Sequence, residues 1–264
     1  MAIASAPLPV APTLALPEHW RAIDFISDIH LTAAMPRTFD AWMGHLLHTD
    51  ADAVLVLGDL FEVWVGDDAR TRPFEQLCLD ALGLAARQRP IWVMVGNRDF
   101  LLGAQALAES GVQALADPTV LRAWGNSALL THGDAWCLDD HDYQRFRDMV
   151  RSAGWQQDFL ARPLDERLAI AAHIRSESEH RKQAVTEPAA WADVDPAEAL
   201  RWLQATGAED LIHGHTHRPG SSPLATGHLR HVLSDWDLDG DLPRAEVLRL
   251  TPAGFERRAP CLEP

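Results

Sequence analysis

Ala53-Val54-Leu55-Val56-Leu57-Gly58-Asp59-Leu60 is the stretch from which the architecture is read. Five consecutive apolar residues without a polar break describe a strand buried on both faces, as in a parallel sheet covered by helices. Gly58 permits a sharp turn at the carboxyl end, and Asp59 is then delivered to the edge where ligands of open α/β sheets bind. Asp59 is therefore the expected centre of a site.

The same design recurs along the chain. Ile23 to Ser27 runs into Asp28-Ile29-His30, and Ile91 to Val95 into Gly96-Asn97-Arg98-Asp99. Ala128 to Thr131 runs into His132-Gly133-Asp134, and Asp210 to Ile212 into His213-Gly214-His215-Thr216-His217. These clusters can converge on one rim. Between the strands, Phe39, Trp42, Met43, Leu46 and Leu47 form a helical stripe, and so do Phe74, Leu77, Cys78, Ala81, Leu82 and Ala85. Trp124-Gly125-Asn126 reads as a hairpin turn, and strands return at 228–233 and 245–250. Strand and helix alternate, which is the pattern of an α/β fold.

With 23 Lys and Arg against 38 Asp and Glu, the 264-residue chain carries a net charge of −15, which argues against a nucleic-acid partner. Cys78, Cys137 and Cys261 lack paired spacing and suit a reducing compartment. Residues 1–20, with four prolines, read as a disordered leader, and residues 256–264 as a tail. No stretch approaches the ~18–20 apolar residues of a spanning helix. A metal-bearing core is expected over 21–139 and 183–255, interrupted by a mostly helical insertion over 140–182. Within it, residues 143–182 hold eight Lys and Arg against six Asp and Glu, interleaved with Trp155, Phe159, Leu160, Leu164 and Leu168. This segment is expected to cap the site with some of those side chains facing the cleft; an ordinary insertion packed on the core is the alternative.

Taken singly, Asn97 is a turn residue, His132 a core histidine and Asp28-x-His30 a common pair. Three imidazoles within 213–217 point more sharply to a ligand role. Together, imidazoles and carboxylates without thiolates suit Mn, Fe or Zn, and seven such residues fit two ions sharing the Asp59 carboxylate. Two ions so placed clamp a phosphoryl group and activate water for in-line attack.

The set Asp28-x-His30, Gly58-Asp59, Gly96-Asn97-Arg98-Asp99, His132-Gly133-Asp134 and Gly214-His215-x-His217 resembles the calcineurin-like metallophosphoesterases. The resemblance implies a four-layered α/β/β/α sandwich with an inserted helical cap. It implies one ion on Asp28, His30, Asp59 and His215 and another on Asp59, Asn97, His132 and His213. The strings 58–68, 96–103 and 212–219 are similar to the family of UDP-2,3-diacylglucosamine hydrolases of lipid A synthesis. That likeness implies two manganese ions, a diacylated UDP-sugar substrate, and peripheral attachment at the cytoplasmic face of the inner membrane. It also implies catalytic roles for Asp59, Asn97 and Arg98, and substrate contacts from Asn97, Arg98, Asp140, Ser178, Lys182 and His213. Most of the superfamily has a histidine where this chain has Arg98. A guanidinium does not release its proton, so a leaving group that needs none, such as a phosphate from a pyrophosphate, is expected, with Arg98 as a phosphate clamp. A surface arginine beside a turn is the alternative. Another nucleotide pyrophosphatase or phosphodiesterase, or a binding module without turnover, also remains open.

Overall fold

The computed structural model describes residues 10–184 and 192–262, with side chains described for 10–176 and 192–262. In chain order the strands are β1 (Thr13–Ala15), β2 (Ile23–Ile26), β3 (Ala53–Leu57), β4 (Ile91–Met94), β5 (Gln113–Ala114) and β6 (Thr119–Ala123). They continue with β7 (Asn126–Thr131), β8 (Asp210–His213), β9 (Gly220–Ala225), β10 (His228–Val232), β11 (Val247–Thr251) and β12 (Gly254–Arg258). The helices are α1 (Pro36–His48), α2 (Pro73–Ala86), α3 (Ala104–Glu109), α4 (His141–Arg151), α5 (Ala153–Leu160), α6 (Leu164–Ala184) and α7 (Pro196–Thr206). One sheet has the order β12-β11-β2-β3-β4-β5, the other β1-β6-β7-β8-β10-β9.

Alternation along the strands sorts the core into three interfaces. Val54 and Val56 of β3, with Ile26, Ile91 and Val93, share a cluster with Trp42 and Leu46 of α1 and Leu79 and Leu82 of α2. Leu55, Leu57, Phe25, Trp92 and Met94 face the other way and meet Leu121, Ala128, Leu130 and Ile212 of the second sheet. Leu129 and Leu211 in turn pack with Ala199, Trp202 and Leu203 of α7. The layers are therefore α/β/β/α. A strand covered on both faces needs no polar alternation, which is why β3 is an unbroken apolar run. Arg257 of β12 donates to the carbonyls of Gly220 (2.6 Å) and Val232 (2.8 Å), joining the sheets at their edges.

The expected leader fails from Thr13 onward. β1 pairs parallel with β6, Leu14, Leu16 and Trp20 pack between the sheets, and the Trp20 carbonyl accepts from Trp124 Nε1 at 2.9 Å. Proline misleads here because Pro12 and Pro17 flank β1 and leave the strand itself free of proline. Residues 1–9 lie outside the described residues. The expected tail also begins inside β12, and the Cys261 N–H donates to His45 Nδ1 at 3.3 Å.

At the end of β2 opposite to Asp28, Arg249 is 3% exposed and donates to Asp24 (2.6 and 2.8 Å) and Thr49 (2.8 Å). Arg249→Ala leaves the fully buried Asp24 without its counter-charge, and a loss of about 3–5 kcal/mol in stability is expected. Urea unfolding of the variant checks this; an unchanged midpoint would show the network to be idle.

Candidate metal centre

β2, β3 and β4 are parallel neighbours, as are β7 and β8, so the residues that follow the members of each set leave on one rim. The loops after β2 and β3 continue side by side. Asp28 N–H donates to the Gly58 carbonyl (3.1 Å), His30 N–H to that of Asp59 (3.1 Å) and Leu31 N–H to that of Leu60 (2.9 Å). Asp28, His30, Asp59, His215 and His217 all adopt positive φ, between 52° and 65°. Such left-handed residues cost about 1–3 kcal/mol each outside glycine, and they gather where function needs them. Close approach also dictates two glycines: a Cβ on Gly96 would lie 2.1 Å from Asp59 Oδ1, and one on Gly214 would lie 2.3 Å from Asp28 Oδ2.

Two groups of donor atoms result. In the first, His30 Nε2 and His217 Nε2 are 3.3 Å apart, and His217 Nε2 is 3.4 Å from Asp28 Oδ1. The other nitrogen of each ring faces a carboxylate, His30 Nδ1 at Glu62 (3.1 Å) and His217 Nδ1 at Asp235 (3.3 Å). The proton therefore belongs on Nδ1, and both Nε2 lone pairs point at each other and at Asp28. In the second, His132 Nδ1 donates to the Leu57 carbonyl at 2.9 Å, leaving its Nε2 3.0 Å from Asn97 Oδ1 and 3.6 Å from Asp59 Oδ1. His215 Nδ1 lies 2.8 Å from the same Asn97 oxygen. Asp59 stands between the groups, its Oδ2 4.0 Å from His30 Nε2.

The field selects positive charge. Burial disfavours a charged ring at His132, but the carboxylates of Asp59, Asp28 and Asp134 outweigh it and raise the pKa to about 9. Burial is likewise outweighed at His217, where hydrogen bonds to Asp235 and Asp28 raise it to about 10. Burial and the neighbouring His132 push His215 down to about 3. Converging lone pairs among buried carboxylates need a cation between them, and this oxygen and imidazole set fits divalent ions.

His213 lies at the end of β8 beside these groups, with its ring nitrogens on other partners. Along β8 it shares a side with Leu211, which packs toward α7, and both ring nitrogens are engaged: Nδ1 with the Gly214 carbonyl (2.8 Å), Nε2 with Arg230 Nε (2.8 Å). His217, which was not among the expected ligands, is brought within reach of Asp28 and His30. Glu62 and Asp235 were also not legible as site residues. Glu62 follows the Gly58-Asp59 motif without a recognisable pattern, and Asp235 is brought in only by the fold.

Arg98 donates its backbone N–H to Asp59 Oδ1 at 2.8 Å, and its guanidinium lies 3.7 Å from Glu62, which Arg175 also reaches at 2.5 Å. Asp99, fully buried, accepts from the N–H groups of Gly96 (2.7 Å) and Leu60 (2.8 Å) and so ties the β3 and β4 loops together. Asp140 is exposed and caps α4, accepting from Tyr143 N–H at 3.0 Å. The side chains of Ser178 and Lys182 lie outside the described residues. Beside the rim, α4 to α6 dock through Arg167, 2% exposed, which donates to the Val65 carbonyl (2.5 Å) and Asp68 (2.9 Å).

Residues 22–219 match the calcineurin-like phosphoesterase family. The chain is 47% identical to the UDP-2,3-diacylglucosamine hydrolase of Chromobacterium violaceum, over 81% of this chain and 90% of that one. It is 43% identical to the protein of that name from Ralstonia nicotianae (86% and 88% covered) and 40% identical to that from Bordetella pertussis (87% and 92%).

Proposed function

The chain belongs to the calcineurin-like phosphoesterase family, and on that premise we propose that it hydrolyses the pyrophosphate bond of UDP-2,3-diacylglucosamine in lipid A synthesis. Water attacks the α-phosphate, giving UMP and 2,3-diacylglucosamine 1-phosphate. The observation that carries this reading is the pair of donor groups sharing Asp59, with Arg98 beside Asn97, in a chain 47% identical to a relative of that activity name.

Asp28, His30, Asp59 and His217 would hold one divalent ion and Asp59, Asn97, His132 and His215 a second, with manganese as the metal. When bound, such a pair supplies Lewis acidity toward phosphoryl oxygens and acidifies water for in-line attack. Glu62 holds His30 in the required tautomer, and Asp235 holds His217 beside it. Arg98, steadied by Glu62, neutralises phosphate oxygens without giving up a proton, which suits a phosphate leaving group. Asp140, Ser178 and Lys182 are further candidates for substrate contact.

The cap supplies selectivity. A cleft of about 240 Å³ is lined by Trp155, Asp158, Phe159, Arg162 and Ile170. Beside it Phe100 lies against Trp155 and under the Arg151 guanidinium, and Arg151 donates to the Gly96 carbonyl at 2.8 Å. Trp155, Phe159, Leu164 and Leu168 pack against the outer core cluster and Leu160 is exposed, so docking of the cap uses most of the apolar surface expected to face the cleft. Each methylene the remainder buries contributes about 0.8 kcal/mol. No helix among the described residues is long and apolar enough to cross a membrane. A diacylated substrate sits in a membrane, which supports reading the protein as peripheral, at the cytoplasmic face of the inner membrane.

Manganese-loaded protein is expected to carry two ions per chain, to release UMP from UDP-2,3-diacylglucosamine, to prefer it over UDP-glucose, and to stop on chelation. Equal rates on both sugars would favour a general nucleotide pyrophosphatase. Bound ions without turnover would favour a binding module.

A further inference from the structure

We propose that α4, the first helix of the cap, is a splint for the metal centre. Its Tyr143, Gln144, Arg147 and Arg151 hold together the two loops that present Asn97 and His132, a role that rests on the metal reading above. Tyr143, Arg147 and Arg151 are spaced at i, i+4 and i+8, so the helical repeat sets them along one side of α4. The Asp140 carboxylate starts the helix by accepting the Tyr143 N–H at 3.0 Å.

Asp134 stands in the loop after β7, close behind His132, and is fully buried. Its Oδ2 accepts from the Tyr143 hydroxyl at 2.6 Å and from Arg147 Nε at 2.8 Å, and its backbone carbonyl accepts from Gln144 Nε2 at 2.8 Å. A carboxylate taken out of water needs a cation and hydrogen-bond donors, and here the cap supplies them. The far end of α4 reaches the loop after β4, where Arg151 donates to the Gly96 carbonyl at 2.8 Å, directly before Asn97. Gly96 N–H in turn donates to Asp99 at 2.7 Å, so Gly96 is gripped from both sides. Between these two anchors the loops meet, with Asn97 Oδ1 3.0 Å from His132 Nε2. The Tyr143 ring also lies against a third loop, its centroid 5.9 Å from that of His215. A lid that only enclosed substrate would need none of these bonds to the inner loops. Because they exist, docking of α4 and the separation of Asn97 from His132 are set together.

The test compares wild type with Tyr143→Phe, Arg147→Ala, Arg147→Lys and Arg151→Ala. Manganese binding is titrated calorimetrically, and kcat and KM on UDP-2,3-diacylglucosamine are measured at saturating manganese. In Arg147→Ala and Arg151→Ala one of the two ions is expected to bind about 10- to 100-fold more weakly, the range for lost outer-shell partners, while the other keeps wild-type affinity. Their kcat should fall with KM little changed. Tyr143→Phe should show a smaller loss of the same kind. Arg147→Lys should recover most of what Arg147→Ala loses, since the bond to Asp134 runs through one nitrogen that an ammonium can replace. Should Arg147→Ala not fold, Tyr143→Phe and Arg151→Ala carry the same comparison. A raised KM with wild-type manganese affinity would make α4 a lid alone and overturn the proposal. Equal weakening of both ions would make it a general support of the fold, and wild-type affinity and kinetics would make it idle; either result also overturns the proposal. Wild-type protein that binds no manganese would instead overturn the metal reading, and the proposal with it, before any variant is compared.

Discussion

Asp59→Ala is expected to abolish turnover and to cost the protein at least one of its two ions. The Asp59 oxygens lie 3.6 Å from His132 Nε2 and 4.0 Å from His30 Nε2, so one carboxylate serves both donor groups. Its removal leaves each ion short of a ligand and leaves the two cations repelling each other across the gap. Asp59 Oδ1 also accepts the Arg98 N–H at 2.8 Å, so the loop that presents Arg98 loses its anchor. The loss in kcat should therefore exceed the ~10²–10³ that follows removal of a single oxyanion donor. Metal analysis together with kcat decides it; two ions and near-normal activity in the variant would end the bridging role.

Arg98→Ala should keep both ions and still lose about 2.7–4 kcal/mol of transition-state stabilisation, the scale of one lost oxyanion donor. The guanidinium contributes none of the convergent lone pairs, so metal content has no reason to change. It sits 3.7 Å from Glu62, which also holds His30 and Arg175, and this fixes its direction at the rim. Arg98→Lys should restore little, because a point charge on a flexible stem does not reproduce a planar fork. Unchanged kinetics in both variants would return Arg98 to the surface, whereas loss of metal would assign it to the scaffold of the donor groups.

The strand ends were legible because their chemistry is local. An apolar run followed by glycine and a carboxylate states both that the strand is buried and that its end is a site, and β3 with Asp59 does both within eight residues. The parallel order of β2, β3 and β4 then follows from the alternation with helices, which brings Asp28, Asp59 and Asn97 to one edge. Arg98 in place of a histidine was readable on the same terms, since proton release depends on residue type alone.

Other features depended on distance in space. Residues 13–15, flanked by Pro12 and Pro17, became a strand because β6 offered an edge, and the apolar side of the insertion was divided between docking and cleft by what lay beneath it. Asp235 lies beyond β10 and meets His217 only through the fold, and no spacing announces it. Among His213, His215 and His217 the sequence by itself determined that a metal-type loop follows β8, but not which imidazoles face it. Their surroundings were set by the fold: the His213 ring meets Arg230, the His215 ring meets Asn97, and the His217 ring meets Asp28 and Asp235. The residue types are a property of the chain, whereas the direction of a side chain is set by backbone angles that only tertiary packing enforces.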